Sequence, residues 1–338
     1  MHSASTVSTV LVGGVRLTKE TTVCYNLRLV IQSAALGRII FLKWAFRVLT
    51  LTQLKYKLDL YEKLTRLDKP IGILLLLWPT LWALWIAGAG RPDWTTVWIF
   101  TLGTVLMRSA GCVMNDFADR NFDPHVKRTK DRPLAAGLVS QKEALVLAAV
   151  LSMLAFMLVL FLNRLTIALS FAALFLAISY PFSKRFISIP QAYLGIAFGF
   201  GIPMAFAALT GHVPLIGWLL LLANIFWAIA YDTEYAMVDR DDDIRIGISS
   251  SALFFGRFDI AAVMICYAAK LALIALVGSM VEMKWPFYLG LCIAAVLAFY
   301  HFSLIRTRDR ADCFRAFLHN NWVGAAIFTG TAAAYALK

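Results

Sequence analysis

Acidic residues are few in this sequence, 20 Asp and Glu in 338 positions against 32 Lys and Arg, and charged residues of both signs together make up only 15%. A soluble globular chain carries about 25% charged and 45–50% apolar residues. Here 60% are hydrophobic and the mean hydropathy is +0.73. The shortage of charge excludes an ordinary soluble domain, and the excess of apolar residues excludes an intrinsically disordered one. Cysteine and histidine are equally thin. The five cysteines, Cys24, Cys112, Cys266, Cys292 and Cys313, contain no CxxC pair, and the five histidines form no HExxH. Neither a zinc centre nor a disulfide-stapled scaffold is indicated. A net charge of +12 would suit nucleic acid in a soluble chain. In a chain this apolar it points to a membrane surface, and no nucleic-acid partner is expected.

Long apolar runs are what the sequence has in abundance. A membrane-crossing helix takes about 20 mostly apolar residues. Nine such stretches are readable, at roughly 71–89, 94–114, 144–162, 165–182, 190–210, 214–231, 260–281, 285–304 and 320–337. The expected fold is an all-α, polytopic membrane protein lodged in a lipid bilayer. Trp94, Trp218, Trp285 and Trp322 lie near the ends of their stretches, as interfacial anchors do. The connecting segments 43–69, 115–143, 183–189, 232–259 and 305–319 hold 22 Lys and Arg, while the opposite side has Arg91, Arg164, Lys284 and Lys338. The positive-inside rule puts the basic side in the cytoplasm, or on the equivalent face of an organelle.

Residues 1–58 are rich in Ser, Thr and basic side chains, with Glu20 as their one acid. They read as a separate extension: a targeting segment, a tail, or the product of a misassigned start. The apolar stretch Ile39–Leu51 is interrupted by Lys43 and Arg47, which suits an interfacial segment better than a tenth span. The membrane domain is expected over 59–338.

Two acidic loops on the basic side carry the chemistry. The first runs from Asn115 to Asp123, after the second stretch, and the second from Tyr231 to Asp243, after the sixth. Each holds a DxxxD, Asp119/Asp123 and Asp239/Asp243, and Asn115 extends the first by four residues. That spacing puts carboxylates one turn apart on one helix face, where they repel. Two such sets at corresponding places suggest a cation that cancels the repulsion, against the plainer reading of solvated surface acids. Oxygen donors without nearby His or Cys favour Mg2+, which binds a few carboxylates together with substrate phosphates. Lys127, Arg128 and Arg132 in the first loop, with Lys184 and Arg185 in the loop between, supply cations for a diphosphate. Arg108 lies inside the second stretch, seven residues before Asn115 and so about two turns deeper on the same face. An ionisable residue at that depth is costly. It reads either as a holder of an anionic substrate group or, structurally, as one half of an interhelical ion pair or a side chain snorkelling to the interface.

The two acidic loops, the DKPIG run at Asp68–Gly72, LWPTLWALW at Leu77–Trp85, GCVMND at Gly111–Asp116 and YPFSKR at Tyr180–Arg185 together resemble the UbiA superfamily of intramembrane aromatic prenyltransferases. Within it they are similar to the branch acting on 4-hydroxybenzoate, in its bacterial more than its mitochondrial wording. The resemblance runs from about Tyr61 to the C-terminus. It implies about nine transmembrane helices around a central cavity capped by the aspartate loops. It also implies Mg2+-dependent transfer of a polyprenyl group from polyprenyl diphosphate to the ring carbon ortho to the hydroxyl of 4-hydroxybenzoate, in ubiquinone biosynthesis. Asn115, Asp119 and Asp123 match the first motif, and Asp239 and Asp243 the second. Asp116 and Asp232 are adjacent acids and secondary candidates for the metal. Tyr235 stands where other members carry a third aspartate, so the second set is shorter here. Arg185 matches a substrate-binding position.

On this reading Asp119, Asp123, Asp239 and Asp243 hold the metal at the reaction centre, and Lys127, Arg128 and Arg132 bind the diphosphate. Arg185, Lys184 and Arg108, in that order, face the carboxylate of the aromatic acid. Tyr180 and Tyr231 border the motifs and are the expected aromatic wall. The expected location is a bacterial inner membrane, with the mitochondrial inner membrane as the alternative. A sister enzyme with another acceptor, such as homogentisate, a naphthoate or haem, is the nearest rival. A secondary transporter is the rival from another class, but its ligands belong near the bilayer midplane, whereas these acids lie at one face.

Overall fold

A computed structural model describes residues 10–12, 15–17, 51–126, 129–183, 185–247 and 249–338. The chain divides into two compact units, Met1–Asp59 and Leu60–Lys338. In the first, β1 (Val10–Val12) and β2 (Val15–Leu17) pair antiparallel, Val10 opposite Leu17 and Val12 opposite Val15. Residues 51–59 are helical. Of the expected interfacial segment Ile39–Leu51, all but Leu51 lies outside the described residues.

The second unit is helical. Its elements are α1 (Ile71–Ala87), α2 (Trp94–Ala118), α3 (Gln141–Val159), α4 (Arg164–Ser183), α5 (Pro190–Gly199), α6 (Gly201–Thr210), α7 (Leu215–Ile246), α8 (Ser251–Phe255), α9 (Asp259–Met280), α10 (Trp285–Ile305) and α11 (Arg310–Ala336). The starts follow local chemistry. The Asp93 side chain caps α2 by accepting from the Thr96 amide at 2.9 Å, and Ser140 with Glu143 forms a capping box on α3. Asp309 caps α11 through the Ala311 and Asp312 amides. Each cap satisfies amides that have no partner within the helix.

Among the described residues, seven helices are long and apolar enough to cross a membrane, with α5 and α6 counted as one and α8 joined to α9. The first and last expected stretches fall on α1 and α11. Helix α1 is apolar but has 17 residues, about 25 Å at 1.5 Å per residue, against a hydrocarbon core of about 30 Å. Helix α11 has 27 residues but carries Arg310, Asp312, Arg315, His319, Asn320 and Asn321 in its first half. The count of nine is thus met by length and hydropathy at seven stretches.

Side chains on α3 and α4 such as Val146, Met153, Phe171 and Phe175 are exposed, as suits helices that face lipid. The core lies between α1, α7, α9, α10 and α11. There Trp82 and Trp227 stack with centroids 5.4 Å apart beside buried Tyr231, Tyr267 and Phe287. Helices α10 and α11 approach closely at Gly290 and Gly330, where a Cβ would meet the Ala326 and Pro286 carbonyls at 2.7 and 2.9 Å. Small residues at a crossing are how membrane helices gain close contact without a hydrophobic drive.

One expected loop is a helix. The segment Tyr231–Asp243 is the continuation of α7, which runs unbroken for 32 residues and ends where Gly247 takes φ 70°. Acids at this density should weaken a helix, but Arg310 of α11 offsets two of them, donating to Asp241 at 2.7 Å and lying 3.9 Å from Asp242. Arg240, on α7 itself, reaches across to Asp259 of α9 at 3.0 Å.

Candidate active site

A cavity of about 1520 Å3 opens between helices α1 to α7 and the start of α11, and its wall includes Asn115, Asp119, Asp123, Asp232, Asp239 and Asp243. The structure therefore brings the two acidic segments, far apart in sequence, to one end of one chamber.

The first set is built on the end of α2 and the turn that follows. Asn115 occupies the last helical turn and donates through Nδ2 to Asp119 Oδ2 at 3.2 Å, while Asp119 is the C-cap residue. The chain then leaves the helix, and Asp123 opens a 3-10 turn, Asp123–His125, with Pro124 fixing its start. Arg132 holds this turn, donating to Asp123 Oδ2 at 2.8 Å and to Asp116 Oδ1 at 3.0 Å. Burial pushes the Asp123 carboxyl above its ordinary range, and the Arg132 guanidinium opposes that rise. Asp116 is only 1% exposed, and its carboxylate is paired with Arg66 as well as Arg132. It braces the segment from behind rather than forming part of the cavity wall.

The second set is presented by α7. At 100° per residue, Asp232, Asp239 and Asp243 fall within about 40° of one another, on the face that also gives Tyr231, Tyr235 and Ala236 to the cavity. Tyr235, at the position of the missing third aspartate, packs its ring 4.6 Å from Phe317. Among the described residues no three His, Cys, Asp or Glu side chains converge into a ready metal centre. The donors are oxygens on two facing elements with space between them. That suits a hard cation completed by water and by a ligand's phosphate oxygens, which is how Mg2+ is ordinarily held.

The cations divide. Lys127, Arg128 and Lys184 lie outside the described residues. Arg132 lines the cavity, as do Lys63, Arg66 and Lys69, three residues that sequence reasoning passed over although Lys69 belongs to the DKPIG run. Arg185 is exposed and donates to the Ala118 carbonyl at 2.9 Å, with its guanidinium 5.6 Å from the rings of Phe122 and Phe182. That places it at the end of α2, outside the cavity wall. Arg108 is inside it. Its Nη1 donates to Cys112 Sγ, and its guanidinium lies 5.6 Å from the Phe198 ring centroid.

The Nε of Arg108 and the hydroxyl of Tyr231 are buried with no hydrogen-bond partner among the described residues. Tyr180, also in the wall, sits 6.4 Å from Phe198. Gly72 makes room for the arginine: a Cβ there would lie 2.5 Å from Arg108 Nη2. Among the described residues the ion pairs include none to Arg108, so the interhelical-pair reading finds no acid. The chamber can accept an anionic, flat, partly apolar ligand beside Arg108 and an anion rich in oxygens at its acidic and basic end.

Known proteins resemble this chain in sequence and in fold. A Methylobacillus flagellatus protein named 4-hydroxybenzoate octaprenyltransferase is 68% identical over 280 residues, 83% of this chain and 95% of its own length. One of the same name from Thiobacillus denitrificans is 65% identical, covering 86% of this chain and 98% of that protein. The apo structure of a UbiA homolog from Aeropyrum pernix superposes with a TM-score of 0.68 at 25% identity, over 75% of this chain and 96% of that one. The structure of a UbiA homolog from Archaeoglobus fulgidus bound to GPP and Mg2+ superposes with a TM-score of 0.64 at 17% identity, covering 82% and 100%. Residues 76–323 match the UbiA prenyltransferase family, and with two aspartate sets on one intramembrane chamber the chain belongs to that family.

Proposed function

We propose that this enzyme transfers a polyprenyl group from polyprenyl diphosphate to the ring carbon of 4-hydroxybenzoate ortho to its hydroxyl, in ubiquinone biosynthesis. The observation that carries the reading is the meeting of both aspartate sets in one chamber whose deeper wall holds Arg108 and aromatic rings. The shared name of the relatives, 4-hydroxybenzoate octaprenyltransferase, supports the acceptor over homogentisate, a naphthoate or haem. A transporter reading gains nothing from acids gathered at one end of the chamber. The enzyme sits in a bacterial inner membrane, multi-pass, with its aspartates on the cytoplasmic side, a sidedness supported by the distribution of basic residues.

Asn115, Asp119, Asp123, Asp232, Asp239 and Asp243 would hold Mg2+. When bound there, the metal supplies charge neutralisation for the leaving diphosphate. Arg132, Lys63, Arg66 and Lys69 add fixed positive charge at the same end, and Lys127 and Arg128 are further diphosphate-binding candidates by sequence. Charge placed in advance in a dry site often contributes the largest share of catalysis.

The reaction breaks the bond between the allylic carbon and diphosphate oxygen. It then forms a carbon–carbon bond at the activated ring position and releases the ring proton to an aspartate or to the departing diphosphate. Arg108 grips the carboxylate of the acid, and the Tyr231 hydroxyl is available to the same ligand. Tyr180, Phe198, Tyr231 and Phe317 exclude water that would quench the allylic cation, and an aromatic face steadies such a cation by about 0.5–2 kcal/mol.

Purified protein in lipid, given 4-hydroxybenzoate, an octaprenyl diphosphate and Mg2+, is expected to yield the prenylated acid and diphosphate. No product from this acceptor, with turnover of one of the alternative acceptors, would overturn the assignment.

A further inference from the structure

The back of α7 carries a polar group that the cavity does not use. Glu234 belongs to the second acidic segment, yet it is 0% exposed and lies about 160° round the helix from the centre of Asp232, Asp239 and Asp243. Its carboxylate receives a hydrogen bond from Tyr267 of α9 at 3.0 Å and one from Asn320 Nδ2 of α11 at 2.7 Å. The Tyr267 hydroxyl also lies 2.9 Å from His301 Nδ1 of α10. Asn320 Oδ1 accepts from Trp227 Nε1, two turns earlier on α7, at 2.8 Å. Glu234, Tyr267, His301 and Asn320 are all buried, so four helices meet around one carboxylate inside the core.

Apolar contacts between membrane helices allow sliding and rotation at small cost. Directional hydrogen bonds in a low-dielectric core do not, because each broken bond leaves a buried polar atom unsatisfied. Turning α7 by a single residue step would carry Glu234 away from both donors and Trp227 away from Asn320. We infer that Glu234 is a positioning residue: from the back of α7 it sets the rotation at which Asp232, Asp239 and Asp243 face the chamber. This rests on the reading that those three acids serve the metal and diphosphate. Glu234 itself touches neither.

The test compares the full-length protein with Glu234→Leu, Glu234→Gln, and the reciprocal pair Glu234→Gln with Asn320→Asp. The pair keeps one amide and one carboxylate across the α7–α11 contact. Two quantities are read on the folded fraction: the Mg2+ concentration for half-maximal prenyl transfer, and Mn2+ binding by electron paramagnetic resonance without turnover. Glu234→Leu is expected to raise the metal requirement and weaken Mn2+ binding by about tenfold or more, Glu234→Gln by less, and the reciprocal pair to recover most of the loss. A purely structural role would lower the yield of folded Glu234→Leu protein while leaving both readouts at their wild-type values, and that result overturns the inference. If this variant does not fold, Tyr267→Phe removes one of the two bonds. A rise of about two- to fourfold in both readouts supports the inference, and unchanged readouts overturn it. A wild type that neither binds Mn2+ nor needs Mg2+ would remove the metal-site reading and this inference together. A metal-dependent wild type with unaffected variants removes this inference alone.

Discussion

The two aspartate sets share a spacing of four residues and little else. The first straddles the end of α2, with Asn115 helical, Asp119 at the cap and Asp123 in a 3-10 turn. The second stays on one unbroken helix to its end at Ile246. Their supports differ accordingly. The first is braced within its own neighbourhood, where Arg132 bridges Asp116 and Asp123 and Arg66 adds a second contact to Asp116. The second is held at a distance, through Glu234 behind it and through Arg240, which shares Asp259 with Arg308. A turn must be tied locally because its backbone has no ladder of its own. A helix supplies its own ladder and needs only its rotation fixed.

Removing the carboxylates themselves should have the largest effect. Asp119→Ala and Asp239→Ala are each expected to lower prenyl transfer by about 100-fold or more, with membrane insertion unchanged. A large loss in one and normal turnover in the other would mean that only one set serves the diphosphate.

The local brace comes next. Asp116→Leu leaves Arg66 and Arg132 facing each other without their shared partner. Breaking such a buried pair costs about 3–5 kcal/mol, visible as a lower thermal midpoint in detergent. Asp241→Ala on α7, whose pair with Arg310 is mostly exposed, should cost about 0–1 kcal/mol. Equal losses would deny that the two sets are supported differently.

The arginines inside and outside the cavity give a third test. Arg108→Lys removes a fork-shaped donor, and Gly72→Ala displaces the guanidinium. Each is expected to raise KM for 4-hydroxybenzoate about tenfold, with a smaller change for the diphosphate. Arg185→Ala should do less, since its side chain ties to the Ala118 carbonyl. The reverse order would move the acceptor towards Arg185.

The smallest effect makes the two sets alike. Tyr235→Asp gives α7 acids at 235, 239 and 243, matching the 115, 119 and 123 pattern of the first set. It should lower the Mg2+ requirement about two- to threefold, partly offset by lost packing on Phe317. No change in the metal dependence would show that position 235 serves the wall only.

Much of the fold was legible because hydropathy reports directly on which segments lipid will accept. Seven of the nine expected stretches coincide with helices that meet length and composition. The two departures have physical reasons. Helix α1 is cut short by the turn at Gly88, and α11 mixes a polar first half with an apolar second. The acids of the site were legible because carboxylates rarely recur at helical spacing beside apolar runs unless something offsets their repulsion. Their setting was not. Whether Tyr231–Asp243 is a loop or a helix turns on what packs against it from other elements, such as Arg310 on Asp241 and Tyr267 and Asn320 on Glu234, and nothing in the segment itself announces them. Lys63, Arg66 and Lys69 escaped notice because a basic residue near a span is expected on topological grounds alone.

By itself the sequence determined that this is a membrane protein, where its helices run, which face is basic, and which oxygen donors could hold a hard cation. Those properties depend on composition and on spacing along one chain. Only the tertiary structure decided that Arg108 rather than Arg185 lines the chamber, that Asp116 is a brace, and that Glu234 turns its back on the other acids of its segment. Each of these depends on what lies across from a side chain. Helical periodicity says which residues share a face, but only packed neighbours decide which face meets the cavity and which meets the core.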